Sequence, residues 1–464
     1  MKHLLSSLKG AKPESRFFIS LWFRFFAPEA GVPLPVAEIA KMLGVSKNVV
    51  MSSLAYMTTE GFFERSHIHL GVRAGRPTSQ YFATNKLLAI LCDDEHPRFH
   101  AGLIEELHYN NHQHLTLSNR LLLCVFLLHA NEYGLVENLG FSVIAQMTGM
   151  SSDQFNSQLD KLSRLGYLRK LSSGVTSKVI FGSRPSIYLL DITNERFSSA
   201  IFRSVTCEQA IGYEYADMLN SLMVLSFGCL TQYRNAQREK DADRKDRHLK
   251  IYENAKEKFD GLECAGNSER SWMLFAELKR RPMLKFFLYE KILLLAAQKV
   301  FSRENRDETW FLQLAAEFRM ELEPRFDKGA VLAKDRGSEA VAEVGDAECL
   351  ELASQSREDG DSLDFWDLGV FSQILANRII LPVIEALESK IAILEQHFDM
   401  PFSSAFVLED KQTEGVSIKP TRSILGLYPV SQAQVVKRVY VNTGKVHDLD
   451  VCNSNNEVMS TSVV

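Results

Sequence analysis

The sequence predicts a mainly α-helical protein. Two copies of a unit made of three helices and a β-hairpin are followed by a helical C-terminal region. Three observations predict it: a stretch near the N-terminus recurs at constant spacing, each copy has an apolar helix ahead and strand-like runs behind, and long amphipathic segments dominate the C-terminal half. Self-similarity over a fixed interval is the sequence mark of a duplicated supersecondary unit.

The bulk numbers set the frame for these elements. With 464 residues and 45% apolar side chains, the chain has material for two to four domains with true cores. Its formal net charge of −5 argues against coating nucleic acid along the whole length, yet leaves room for local basic faces. The N-terminal run "FFISLWFRFF" contains Arg24, follows Arg16 and lacks a small-residue cleavage site, so it does not read as a signal peptide. The greasiest stretch, "LKFFLYEKILLLAAQKVF", carries Lys285, Glu290, Lys291 and Lys299, which suits a buried helix and not a membrane span. Seven cysteines are scattered singly without a CxxC pair, as expected in a reducing, cytoplasmic compartment, and provide no zinc knuckle.

The repeat is read at an offset of 105 residues, with "IAKMLGVSKNVVMSSLAYMTTEGFF" at 39–63 and "IAQMTGMSSDQFNSQLDKLSRLGYL" at 144–168. Ile39, Ala40, Met42, Gly44, Ser46, Leu54 and Gly61 recur without a gap as Ile144, Ala145, Met147, Gly149, Ser151, Leu159 and Gly166. Ile39, Ala40 and Leu43 share one face of a short helix. Gly44 follows where positive φ is favoured, and Ser46 is placed to cap the next helix. In that helix Val50, Leu54 and Met57 share the core side, as do Phe155, Leu159 and Leu162 in the second copy. Gly61 and Gly166 end the helices. The segments "HIHLGVRAGRPTS" and "SSGVTSKVIFGSRPS" then read as hairpin loops with basic tips. Ahead of each copy stand "RFFISLWFRFF" and "NRLLLCVFLLHA", the latter with Ser118 as its expected cap.

Both segments, over residues 15–84 and 117–191, resemble winged helix-turn-helix domains of bacterial regulators such as the MarR, GntR and ArsR groups. "LGVSKNVVMSSLAYMTTEGFF" follows the pattern of those families and "GRPTSQYF" resembles their wing. A second resemblance is to replication initiators of plasmids or integrated mobile elements, which also place two winged helices in one chain. The resemblance implies that the third helix of each unit enters a major groove with its outward side chains. By periodicity these are Lys47, Asn48, Met51, Ser52 and Tyr56, then Ser152, Asn156, Ser157 and Lys161, with Asp153 among them. Related regulators often carry arginine where Ser52 and Ser157 stand. The expected wing contacts are Arg73 and Arg76 in the first unit, with Lys178 and Arg184 in the second. Five basic residues against three acidic over 32–84, and six against three over 143–191, make both units mildly basic.

The domain plan follows. Winged helices occupy 1–84 and 117–192, joined by a His-rich connector at 85–116. A helical domain spans 193–330, an acidic linker 331–364, an amphipathic helix or helix pair 365–400, and a tail 401–464. In the connector His96 and His100, and His108 and His112, are each four apart. His108 and His112 are the candidates for a metal, but no cysteine completes a familiar spacing, so neither metal nor cofactor is expected. The charged run "RNAQREKDADRKDRHLKIYENAKEKFD" reads as an exposed helix or a hinge. Two amphipathic helices are expected over 270–325, separated near Arg303. The helix after Asp364 is expected to kink or break at Pro382 and to pack within the chain or against a second copy, making a homodimer. The tail shows only strand-like stretches such as "KRVYVNT".

There is no Walker loop, dinucleotide fingerprint, GxSxG or HExxH, so no enzyme is expected. The expected function is sequence-specific binding of double-stranded DNA by a cytoplasmic, nucleoid-associated transcriptional regulator. Its alternatives are a replication initiator and an interaction scaffold whose winged helices do not touch DNA.

Overall fold

The structure, a computed structural model, describes residues 1–27, 31–68, 78–92, 99–109, 114–131, 134–177, 180–192, 197, 204–207, 213–260, 269–301, 306, 308–323, 365–398, 402–414, 417–429, 435–442, 445–452 and 458–460. Contacts divide the chain into two units, one of residues 1–171 with 185–201 and the other of residues 172–184 with 202–464.

The first unit begins with α1 (Lys2–Ser7), α2 (Pro13–Phe25), α3 (Val36–Leu43), α4 (Lys47–Thr59), β1 (Phe63–Ile68) and β2 (Thr78–Ala83). Two short helices, α5 (Asn85–Cys92) and α6 (Ala101–His108), occupy the connector. Then come α7 (Leu117–His129), β3 (Leu135–Val136), α8 (Phe141–Thr148), α9 (Ser152–Arg164) and β4 (Leu168–Ser172). A short hairpin of β5 (Val175–Ser177) and β6 (Gly182–Arg184) leads to β7 (Ile187–Leu190). Both copies of the repeat therefore form three helices and an antiparallel strand pair.

Sequence chemistry explains each local shape. Gly44 and Gly149 end α3 and α8 in the left-handed region, at φ 63° and 71°. Ser46 and Ser151 cap α4 and α9, each accepting from the backbone N–H three residues on. Gln154 returns the bond to Ser151 and completes a capping box. The expected core residues Ile39, Ala40, Leu43, Val50, Leu54, Met57, Phe155, Leu159 and Leu162 are all buried. One capping expectation is corrected: Thr116, not Ser118, caps α7, accepting from the Asn119 N–H, and the Ser118 hydroxyl donates to Glu14 at 2.9 Å.

The duplication runs beyond the matched sequence. Val32 bridges Tyr81 in the first copy, and Val136 pairs with Tyr188 in the second. Thr84 N–H bonds the Phe62 carbonyl and Asp191 N–H the Tyr167 carbonyl, both at 3.0 Å. Ser53 of α4 donates to Ser15 of α2 at 3.0 Å, while Asn119 of α7 donates to Gln158 of α9 at 2.6 Å. Arg16 and Arg120, at equivalent places on α2 and α7, are both buried. Arg16 donates to the carbonyls of Ala11, Leu5 and Gln146, so it joins α1, the loop after it and α8. The helices α2 and α7 pack directly on one another, with Phe17, Phe18, Trp22, Leu121, Leu122 and Phe126 in the core.

The second unit holds β8 (Ser204–Cys207), α10 (Tyr213–Arg238), α11 (Ala242–Asp260), α12 (Glu269–Arg280), α13 (Pro282–Lys299), α14 (Glu308–Leu322), α15 (Phe365–Leu375) and α16 (Leu381–Phe398). The charged run is helical on both sides of residues 239–241, where the Asp241 carboxylate accepts from the N–H groups of Asp243 and Arg244. Three helices replace the two expected over 270–325, because Pro282 starts a new one at its first position. The greasy α13 is buried, and among the described residues no helix is long and apolar enough to cross a membrane. Pro382 does not break its helix: a π-helical turn, Ala376–Ile380, carries α15 into α16. A wider turn relieves the clash of the proline ring with the carbonyl four residues back. The acidic segment 331–364 lies outside the described residues.

The strand-like stretches expected in the tail are strands, with "KRVYVN" inside β11. β9 (Phe402–Glu414), β10 (Ser417–Pro429), β11 (Val435–Asn442), β12 (Lys445–Cys452) and β13 (Val458–Ser460) join β8 in a sheet of order β13-β12-β11-β8-β10-β9. β8 runs parallel to β11 and antiparallel to β10. A parallel partner 230 or more residues away leaves no local signature, so these strands were not legible as a sheet.

Gly61 and Gly149 separate backbone strain from crowding. Both have positive φ, 68° and 71°, but a Cβ at Gly61 meets nothing within 4 Å, whereas at Gly149 it would lie 2.5 Å from the Ala11 oxygen and 2.9 Å from Arg16 Nε. Gly61→Ala should cost roughly 1–2 kcal/mol, and Gly149→Ala about 3 kcal/mol or more. Urea titration of the two variants checks this, and equal losses would show that the Gly149 approach is not tight.

Candidate nucleic-acid interface

The outward face of α4 presents Lys47, Asn48, Met51 and Ser52, all exposed, with Met51 at 59%. Ser52 donates to the Val49 carbonyl within its own helix, and its oxygen keeps acceptor capacity. Tyr56 is half-buried, and its phenol donates to the Lys9 carbonyl at 2.7 Å. Burial first, and Glu60 second, push that phenol's pKa up. Tyr56 therefore helps to hold the segment after α1 and is not a free reader.

On α9 Ser152, Asn156 and Ser157 are exposed and Lys161 is half-buried. Asp153 and Asp160 share that exposed surface with Arg164. The α9 face is thus polar and close to neutral, while α4 carries one cation near its start. A helix with such a face fits the width of a B-DNA major groove, and Asn and Ser groups donate and accept at base edges.

Arg65 on β1 is exposed and donates through Nε and Nη2 to Ser79 on β2, at 3.0 and 2.8 Å. Arg73 and Arg76 lie between these strands in the sequence, outside the described residues. Arg169 and Lys170 occupy exposed positions on β4, an edge strand of the β3-β7-β4 sheet. In the sequence Arg65, Arg169 and Lys170 enter only through the net charge of their segments, since they lie on the strands and not at the hairpin tips. Alternation in "LRKLS", where buried ends flank the basic pair, was the available signal.

The second hairpin is where expectation and structure part. The chain passes into the second unit at 171/172 and returns at 184/185, so the β5–β6 hairpin belongs to the second unit. Its Phe181 ring is fully buried against Phe287, with centroids 5.0 Å apart. Phe181 adopts φ 66°, a strained region for a bulky residue, and its N–H bonds the Leu322 carbonyl at 2.7 Å. Arg184 donates to the carbonyls of Phe181 and Glu321, at 3.1 and 3.0 Å. The Arg184 guanidinium is thus engaged with protein carbonyls. Lys178 lies outside the described residues.

His100 and His108 of the connector are buried. His108 is buried beside the Phe17 ring, its Nε2 3.1 Å from Ser20 Oγ. Burial, helped by the charges of Arg24 and Arg120, pulls its pKa down to about 4. His100 places Nε2 2.6 Å from the Asn131 carbonyl. His96 and His112 lie outside the described residues, and among the described residues no group of three or more metal-ligating side chains gathers.

No family model matches the chain, and no curated protein resembles it significantly in sequence.

His108 makes stability depend on acid pH. Its folded pKa of about 4 lies below the ordinary 6.5, so the unfolded chain binds more protons between those values and stability falls as pH drops through that window. The group should account for roughly 3 kcal/mol lost from pH 7 to 4. Urea unfolding of wild type and His108→Gln across that range measures it, and parallel curves would show that His108 is not the source.

Proposed function

We propose that this chain binds double-stranded DNA through two winged helix-turn-helix units and acts as a transcriptional regulator. The observation that carries the reading is the duplication of a complete helix–turn–helix–hairpin unit in which the outward side chains of the third helix contribute little to the fold. Lys47, Asn48, Met51 and Ser52, with Ser152, Asn156 and Ser157, are the proposed groove-facing side chains. Arg65, Arg169 and Lys170 are added as phosphate contacts, and Arg73 and Arg76 stay in the proposal on sequence grounds. Each unit is weakly charged, so affinity comes from joining two of them in one chain, where the second binding event is intramolecular.

A second reading is favoured by one observation. Asp153 and Asp160 lie on the exposed face of α9 and repel phosphate, which suits a protein-binding module.

Anisotropy titrations on duplex DNA from about 50 to 200 mM salt separate the two. The proposal expects salt-sensitive binding, and the Arg169→Ala, Lys170→Ala double variant should lower the salt slope by about 2. Arg184→Ala should leave that slope unchanged. Salt-insensitive or undetectable binding to every duplex would leave the protein-binding module as the better reading.

A further inference from the structure

We infer that the two winged-helix copies of one chain, both within the first unit, read inverted half-sites, so that a single chain is shaped for a pseudo-palindromic duplex and not for a tandem direct repeat. The inference rests on the DNA-binding reading above and names the kind of site that reading requires.

The argument starts from equivalent positions. α2 and α7 are both 13 residues long, and Ser15, Arg16 and Trp22 correspond to Asn119, Arg120 and Phe126. The register is checked by interactions made in both copies: Ser15 with Ser53 and Asn119 with Gln158 tie first helix to third, and Val32 with Tyr81 and Val136 with Tyr188 tie the strands. In this register Glu14 corresponds to Ser118. These two equivalent positions are hydrogen-bonded to each other at 2.9 Å, where α2 packs on α7.

Two identical readers on DNA are related by one of the symmetries of the double helix. A direct repeat requires a screw along the helix axis, and an inverted repeat requires a two-fold across it. A screw moves every point of a body by at least its translation, which for successive major grooves is about 34 Å. The two side chains together reach roughly 7 Å, so the equivalent Cα atoms of residues 14 and 118 are no more than about 10 Å apart. That distance allows a translation of under about three base pairs at 3.4 Å each. Two bodies so displaced would overlap unless a large rotation separated them. A two-fold has no translation and places equivalent residues in contact at its axis, as in an isologous interface. Because α4 is bonded to α2 and α9 to α7 by equivalent pairs, the operation that relates the first helices also relates the third helices.

The two third helices carry different side chains, which hides the symmetry of the natural site. Lys47, Asn48, Met51 and Ala55 correspond to Ser152, Asp153, Asn156 and Asp160, while Ser52 and Ser157 are the same. A variant with Ser152→Lys, Asp153→Asn, Asn156→Met and Asp160→Ala makes the outward faces alike at these exposed positions without touching the core. Selection from a random duplex pool, with the full-length wild type and this variant side by side, is the test. The inference expects the variant to enrich two like half-sites in opposite orientation, with reversal of either one weakening binding at least tenfold. Like half-sites in the same orientation, or a lone half-site bound as tightly as the pair, would overturn it while leaving DNA binding intact. If neither protein enriches any duplex, the DNA-binding reading falls and the inference falls with it.

Discussion

The first unit depends on the buried guanidinium of Arg16. A charge taken out of water needs acceptors around it, and here three carbonyls from three separate segments supply them: Leu5, Ala11 and Gln146. Burial lowers its pKa, yet an arginine stays charged, so the three carbonyls must stay in place. One side chain thereby fixes α1, the loop that follows it and the far copy of the repeat. Gly149 belongs to the same arrangement, since only a residue without Cβ lets the Ala11 carbonyl and Arg16 come so close.

A rigid pairing of α2 with α7 has a consequence for any ligand. The third helices are attached to that pair through buried or half-buried polar bonds, so they cannot adjust independently to arbitrary spacing. On the proposed DNA-binding reading, the weak charge of α4 and α9 suits a binder that depends on two positioned faces together, and the basic residues on the strands would supply sequence-independent attraction. The two hairpins have diverged. β1 and β2 keep polar and basic side chains outward, whereas the hairpin after β4 buries Phe181 and commits Arg184 to backbone carbonyls.

Much of this was legible at the level of residues. Gly44, Ser46 and Ser151 announced their turn and caps because those roles depend on φ and on a hydroxyl three residues from a backbone N–H. The buried faces of α4 and α9 followed from helical spacing. The bonds of Tyr56 and Arg184 to the Lys9 and Glu321 carbonyls were not legible, because periodicity tells which way a side chain leaves its helix or strand, not which distant carbonyl waits for it. Ser118 was misread for a related reason: a hydroxyl near a helix start is a sound capping candidate, but Glu14, 104 residues earlier in the chain, competes for it.

The sequence by itself determined the duplicated unit, its turns, its caps and its apolar faces, since each arises from interactions within a few residues. Only the tertiary structure decided which polar groups were spent on the fold, that Glu14 meets Ser118 where the two copies join, and that β8 finds partners more than 200 residues away. Those outcomes depend on pairings between remote segments, and hydrogen bonds of that kind leave no period along the chain.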